Sequence, residues 1–129
     1  MNVLLDTHVV VWAFSEPTRI PLRIRELLDT EVELAWVSHL SLWEIGMKYP
    51  LKRRDSPVRS ASQTLTDAVE AGFRLLPLDI SHILAFEHLP RLHGDPIDRL
   101  LVAQALTENL RLLTHDSRLA AYSDTVIAW

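Results

Sequence analysis

Short apolar runs alternate along this chain with stretches of helical periodicity, and that alternation restricts the fold more than any other feature. Asn2–Leu5, Glu33–Val37, Phe73–Leu76, Arg111–Thr114 and Thr125–Ala128 read as strands, too short for helices and rich in apolar or β-branched residues. Helices are expected between them at Thr7–Phe14, Ile20–Leu28, from the capping residue Ser38 to about Tyr49, at Ala61–Ala71 and at Ser81–His88. Another opens at Asp95-Pro96 and runs to about Asn109, and a short one lies near Ser117–Tyr122. The stretch Pro50–Ser60, with two prolines and most of a basic cluster, reads as a loop. Strands joined through helices predict a parallel sheet covered on both faces, which is an α/β fold. At 129 residues one domain spanning 1–129 is expected, and a 48% hydrophobic content suffices for its core.

Composition removes several kinds of chemistry. The chain has no cysteine, so disulfides, thiolate zinc sites and thiol nucleophiles are all excluded. The N-terminus lacks the pattern of a signal peptide, and no apolar run approaches the roughly 20 residues that span a bilayer. A soluble protein is expected. A net charge of −4 argues at first against a nucleic-acid partner. Its distribution argues otherwise, because Lys48, Lys52, Arg53, Arg54 and Arg59 stand within twelve residues with only Asp55 against them. Carboxylates neutralised by bound metal would also shift the balance toward the positive side.

The carboxylates carry the chemical signal. Ligands of open parallel sheets bind beyond the carboxyl ends of the strands. Asp6 stands one residue past the first strand and Asp116 two past the fourth, so both project toward that crevice, although an Asp there also serves as a simple helix cap. Wound at about 100° per residue from Leu40, Glu44 falls at about 40°, bordering an apolar stripe of Leu40, Trp43 and Met47. Its pairing with Lys48 one turn on would be worth only about 0.3–0.5 kcal/mol, a weak reason to place an acid there. Asp95 is expected to cap the helix that Pro96 starts, with Asp98 in its first turn. From Asp98, steps of three and four residues reach Leu101, Val102 and Ala105, so that face is expected to turn inward and aim Asp98 at the cleft. Acids grouped in this way suit Mg²⁺ or Mn²⁺, hard cations that prefer oxygen ligands, and metal-assisted hydrolysis at a phosphoryl group. No candidate nucleophilic triad competes with them.

Four segments together resemble the PIN-domain family, and within it the VapC-like ribonucleases. They are Asn2-Val-Leu-Leu-Asp-Thr-His8, Ser38-His-Leu-Ser-Leu-Trp-Glu-Ile-Gly-Met-Lys48, His93-Gly-Asp-Pro-Ile-Asp-Arg-Leu-Leu-Val-Ala-Gln-Ala105 and Leu112-Leu-Thr-His-Asp116. The aromatic closing segment from Tyr122 to Trp129 also resembles one branch of the family. This similarity implies a three-layer α/β/α sandwich around a five-stranded parallel sheet. It implies a catalytic quartet of Asp6, Glu44, Asp98 and Asp116, with Asp95 assisting at the metal and the Thr7 and Thr114 hydroxyls supporting the acids. It further implies Mg²⁺ or Mn²⁺ dependence, RNA as substrate, homodimerisation, a cytoplasmic location and inhibition by a VapB-like antitoxin. Lys48, Lys52, Arg53, Arg54 and Arg99 are the candidates for RNA contact.

Other functions fit less well. A phosphatase with Asp6 as covalent nucleophile would want a second Asp two residues later, where this chain has His8. A PIN-fold interaction protein without catalysis would not need to retain all four acids. A structure-selective DNA nuclease shares the metal chemistry, but a chain this short lacks extra domains for gripping branched DNA. His8, His93 and His115 each lie within two residues of an acid and are expected to line the cleft or form hydrogen bonds, an oxygen-rich site being a poor one for zinc. Trp12, Trp36, Trp43 and Trp129 are expected in the core or at a dimer surface.

Overall fold

The computed structural model describes every residue from Met1 to Trp129. Five strands, β1 (Asn2–Leu5), β2 (Leu34–Ser38), β3 (Arg74–Leu76), β4 (Arg111–Thr114) and β5 (Ile127–Ala128), form one sheet in the order β3-β2-β1-β4-β5. All four pairings are parallel, with Leu4 opposite Trp36 on one side and Leu112 on the other. Six α-helices connect them: α1 (Thr7–Ser15), α2 (Leu22–Thr30), α3 (His39–Lys48), α4 (Ala61–Glu70), α5 (Ile80–His88) and α6 (Pro96–Thr107).

Alternation along β1 divides the interior in two. Val3 and Leu5 belong to one apolar cluster with Val9 and Val10 of α1, Ile24 of α2, Ile45 of α3 and Ala68 of α4. Leu4 points the other way, into a cluster with Leu101, Val102 and Ala105 of α6 and Leu119. The sheet therefore lies between two helical layers. No helix is long and apolar enough to cross a membrane.

Local chemistry explains where the elements stop. Gly72, at φ +85°, takes the left-handed conformation that ends α4, and Phe73 N–H then reaches the Ala68 carbonyl at 2.9 Å. The expected helix to Asn109 stops at Thr107 for the same reason: Asn109 has φ 56°, and Leu110 N–H bonds the Ala105 carbonyl. The helix expected at Ile20–Leu28 begins two residues later, because Pro21 stands at its cap. β3 and β5 are shorter than expected, starting at Arg74 and Ile127, and the loop expected from Pro50 opens as a 3-10 turn over Tyr49–Leu51.

One expectation is overturned on α3. Trp43 is 57% exposed and Met47 43%, whereas Leu40, Ser41, Glu44 and Ile45 are buried. The inward stripe thus runs through Glu44 instead of beside it. Ile45, fully buried, outweighs the two larger residues because it belongs to the apolar cluster on the side where α3 meets α1 and α4, and Ser41 and Glu44 are buried as well.

Because the strands are parallel, all their carboxyl ends lie along one edge. The chain moves from β1 outward through β2 and β3, then returns to place β4 on the other side of β1. Strand order therefore reverses between β1 and β4, the position where crevices open in such sheets. Ser38 joins the layers below that crevice: its hydroxyl accepts from Leu40 N–H at 3.0 Å and donates to the side-chain Oε1 of Gln104 on α6 at 2.6 Å, fully buried. Ser38→Ala removes the cap and strands the Gln104 oxygen. A loss of about 2 kcal/mol is expected in urea unfolding, and an unchanged midpoint would refute this account of the α3–α6 junction.

Candidate active site

The crevice gathers five carboxylates from four places in the sequence. Asp6 follows β1, Glu44 comes from the inward face of α3, Asp95 and Asp98 open α6, and Asp116 follows β4. Asp6 and Glu44 are only 3% and 5% exposed. Charges on Asp6, Asp95, Glu44 and Asp116 all act on Asp98, which places that carboxylate at the centre of the group.

Each acid is held differently. Asp6 caps α1, one oxygen accepting from Thr7 N–H at 2.6 Å and the other from the Thr114 hydroxyl at 2.6 Å. The same Thr114 oxygen accepts from Asp116 N–H at 3.0 Å, so one hydroxyl ties the ends of β1 and β4 together. Thr7 departs from expectation: it serves Asp6 through its backbone, while its hydroxyl donates to Ser41 of α3 at 2.9 Å. Asp95 has the expected capping role, accepting from Ile97 N–H at 2.8 Å and Asp98 N–H at 3.2 Å. Asp98 makes no such bond, and His93 Nε2 lies 3.8 Å from its Oδ2. Leu101, Val102 and Ala105 beyond it are buried against the sheet, so its face turns inward as its spacing predicts.

Electrostatics follow this arrangement. Burial raises the Asp98 carboxyl to about 8, and the four neighbouring acids push in the same direction. Burial also raises Asp6, opposed by the hydrogen bond from Thr114. Asp116 is held well below the usual carboxylate range by the guanidinium of Arg118, with a smaller contribution from His93. Arg118 grips both Asp116 oxygens, at 3.0 and 2.8 Å, from a 3-10 turn over Ser117–Tyr122. Nothing in the sequence singles it out, since a fork two residues from its acid depends on that turn.

The cationic candidates divide. Lys48 pairs with Glu44 at 2.8 Å, which raises the lysine pKa and shows the i,i+4 bond forming beside the site. Arg53 and Arg54 make no salt bridge and line a groove of about 380 Å³ together with Thr7, His8, Glu44 and Lys48. Lys52 instead lies over the Tyr49 ring at 3.6 Å. Arg99 does not line this groove: its guanidinium stacks on Phe86 of α5 at 4.6 Å and donates to the Leu89 carbonyl, because it leaves α6 on another side from Asp98.

Among the tryptophans, Trp12 is buried at the head of the groove, in an aromatic group with His8, His115 and Trp129 whose ring centres lie 5.2–6.5 Å apart. Trp36 and Trp129 are half-buried and Trp43 is exposed. His93, expected to line the cleft or form hydrogen bonds, lies inside the acid cluster, its Nε2 2.7 Å from Asp116 Oδ2.

Comparison with known proteins agrees with the fold. The PIN domain family model matches residues 3–124, and the chain belongs to the PIN domain family. It is 33% identical over 124 residues to Ribonuclease VapC22 of Mycobacterium tuberculosis, covering 94% of this chain and 92% of that one. Among solved structures it resembles VapBC2 from Rickettsia felis bound to a promoter DNA fragment, with a TM-score of 0.72 at 17% identity over 100% of this chain and 98% of that one. It also resembles VapC20 of M. tuberculosis, described as a sarcin-ricin loop cleaving toxin, with a TM-score of 0.61 at 14% identity over 92% and 93% of the two chains.

The pKa displacements set a pH dependence for the metal-free protein. Asp98 titrates at about 8 when folded and near 4 when unfolded, so the folded state holds the extra proton between those values. Its stabilising contribution is complete below about pH 4 and is lost as pH rises through 8; Asp6 acts in the same direction. Asp116, displaced downward, acts only in acid and with opposite sign. In chelator, wild-type Tm should fall between about pH 5.5 and 8.5, and Asp98→Asn should flatten that slope, melting roughly 3–5 °C higher at the alkaline end. Melting curves for the two proteins decide it, a lower Tm for the variant at pH 8.5 being the contrary result.

Proposed function

We propose that this chain is a divalent-metal-dependent endoribonuclease, the toxin half of a VapBC-like toxin–antitoxin pair. The convergence of five carboxylates on one crevice, with Asp98 driven to about 8 by burial and by its neighbours, is the observation that carries the reading. Such crowding is unfavourable in an empty site and is relieved by a cation. The donors fit Mg²⁺ or Mn²⁺, since all are carboxylate oxygens. Asp6, Glu44, Asp98 and Asp116 would hold the ion or ions, and Asp95 would assist from the helix entrance. A bound divalent cation supplies Lewis acidity, lowering the pKa of water and offsetting charge on the phosphoryl group.

The chain's own residues supply position. Thr7 N–H and the Thr114 hydroxyl hold the two oxygens of Asp6 in one orientation. Thr114 also joins that acid to Asp116, whose chain position is thereby tied to β1. Lys48 orients Glu44 and balances part of its charge. Arg53 and Arg54, which make no salt bridge and line the same groove as Glu44, are placed to bind phosphates of a single strand. The same groove, with Trp12 and Val11 beside its charged flank, suits the tail of a small VapB-like antitoxin that blocks the site. Homodimerisation fits the exposed Trp43 and Met47 on α3, and a cytoplasmic location fits the absence of cysteine.

Purified protein incubated with defined RNAs should cleave them in Mg²⁺ or Mn²⁺ and stop in EDTA. Asp98→Asn should lose nearly all activity, at least about 100-fold, while remaining folded. Asp95→Ala should cost about 1 kcal/mol through its cap and lose less rate. Full cleavage in chelator, or an active Asp98→Asn beside a dead Asp95→Ala, would sink these assignments.

The groove gives a separate expectation. Replacing Arg53 and Arg54 together with Glu should weaken RNA binding by roughly 10-fold or more at 0.1 M salt, with a shallower salt dependence. Fluorescence anisotropy with a labelled strand measures both, and unaltered binding would remove the loop from the RNA path.

A further inference from the structure

We propose that His93 is a positioning residue for the metal-binding acids, acting as a hydrogen-bond donor to Asp116 and not as a ligand. The inference rests on the metal-dependent reading above and concerns a side chain to which that reading gives no role. His93 lies in the loop between α5 and α6, with its side chain only 4% exposed. Two contacts fix the loop and the ring. The Tyr122 hydroxyl oxygen accepts from the backbone N–H groups of Leu92 and His93, each at 3.1 Å. The ring's Nδ1 accepts from Asp95 N–H at 3.0 Å.

That second contact decides the tautomer. A ring nitrogen that accepts a hydrogen bond carries no proton, so in the neutral imidazole Nε2 carries it. Nε2 therefore donates to Asp116 Oδ2, 2.7 Å away. Ligation through Nε2 would require the proton to move to Nδ1, where it would oppose the Asp95 N–H. His93, Asp98 and Asp116 have potential ligand atoms within 4.8 Å of one another, a spacing that could suggest a three-ligand metal site. The hydrogen bonding gives His93 another task within it. One ring links the N-terminus of α6, through Asp95, to the end of β4, through Asp116. It also stands beside Asp98, whose Oδ2 lies 3.8 Å from Nε2. Added to the Arg118 fork on the same carboxylate, this bond resists rotation of Asp116 toward Asp98 and keeps the gap between two carboxylates from distant segments open for a cation.

Hydrogen bonds to ligating carboxylates commonly govern metal affinity by about 10–100-fold. His93→Ala should weaken Mn²⁺ binding by that factor, as measured by titration calorimetry on the full chain. His93→Gln carries an amide N–H near the position of Nε2 and should restore affinity to within about 5-fold of wild type. Pulsed electron paramagnetic resonance of the Mn²⁺-loaded wild type should show no directly coordinated imidazole nitrogen. Tm in chelator checks that each variant is folded, and the Gln variant carries the test should the Ala variant unfold. Wild-type affinity in His93→Ala, no recovery in a folded His93→Gln, or a nitrogen coupling from bound imidazole would each overturn the positioning role. Asp116→Asn is the companion measurement. If it binds Mn²⁺ as wild type does, the carboxylate assignment itself fails; if it loses binding while His93→Ala keeps it, only the role of His93 fails.

Discussion

β1 is buried on both faces, and the rest of the molecule is arranged around that burial. Val3, Leu4 and Leu5 are fully inaccessible, which requires a helical layer on each side and a paired strand at each edge. The strand can satisfy its backbone only through β2 and β4, so both must run beside it. Asp6 follows directly, and its N–H continues the ladder to the Leu113 carbonyl at 2.9 Å. A charged group is thus carried into the interior by the most apolar segment of the chain. The cost of burying it is offset by the Thr7 amide and the Thr114 hydroxyl.

The acid cluster works against this packing. Five carboxylates share a crevice in which Arg118 and Lys48 are the paired cations, and each of those two contacts an acid at the edge. Asp98, at the centre, has neither. The remaining contacts to the acids come from backbone caps, one threonine and one histidine, which orient them without cancelling their charge. Hydrogen-bond donors with no net charge leave the field at the centre negative, which is what a cation site requires. The fold tolerates this because the acids stand at element ends, where helix N-termini supply partial positive charge to Asp6 and Asp95. Glu44 is the exception, one turn inside α3 and dependent on Lys48.

The architecture was largely legible because its signals are local. Alternation of apolar runs with helical periodicity marked every strand, and capping chemistry at Ser38 and Asp95-Pro96 marked two helix starts that face the crevice. The limits lay where tertiary contacts outweigh local pattern. On α3 the large side chains Trp43 and Met47 suggested the inward face, yet the helix buries Ile45, Ser41 and Glu44, because packing against α1 and α4 decides which stripe is covered. Arg99 shares a helix with Asp98 but is claimed by Phe86, a residue of another helix that its own sequence neighbourhood does not reveal.

By itself the sequence determined the element types, the parallel sheet and the candidacy of Asp6, Glu44, Asp95, Asp98 and Asp116, because helix caps, strand ends and apolar periodicity are properties of neighbouring residues. Only the tertiary structure decided how the acids that follow β1 and β4 are held. Thr114 serving both Asp6 and Asp116, Thr7 turning its hydroxyl to Ser41, Arg118 forking onto Asp116 and His93 donating to it all depend on where a polar group finds its partner. Hydrogen bonds act over about 3 Å and within a narrow range of angles. Their pairing is therefore settled after the chain has packed, by the return from β3 that lays β4 beside β1 and brings residues more than a hundred positions apart into contact.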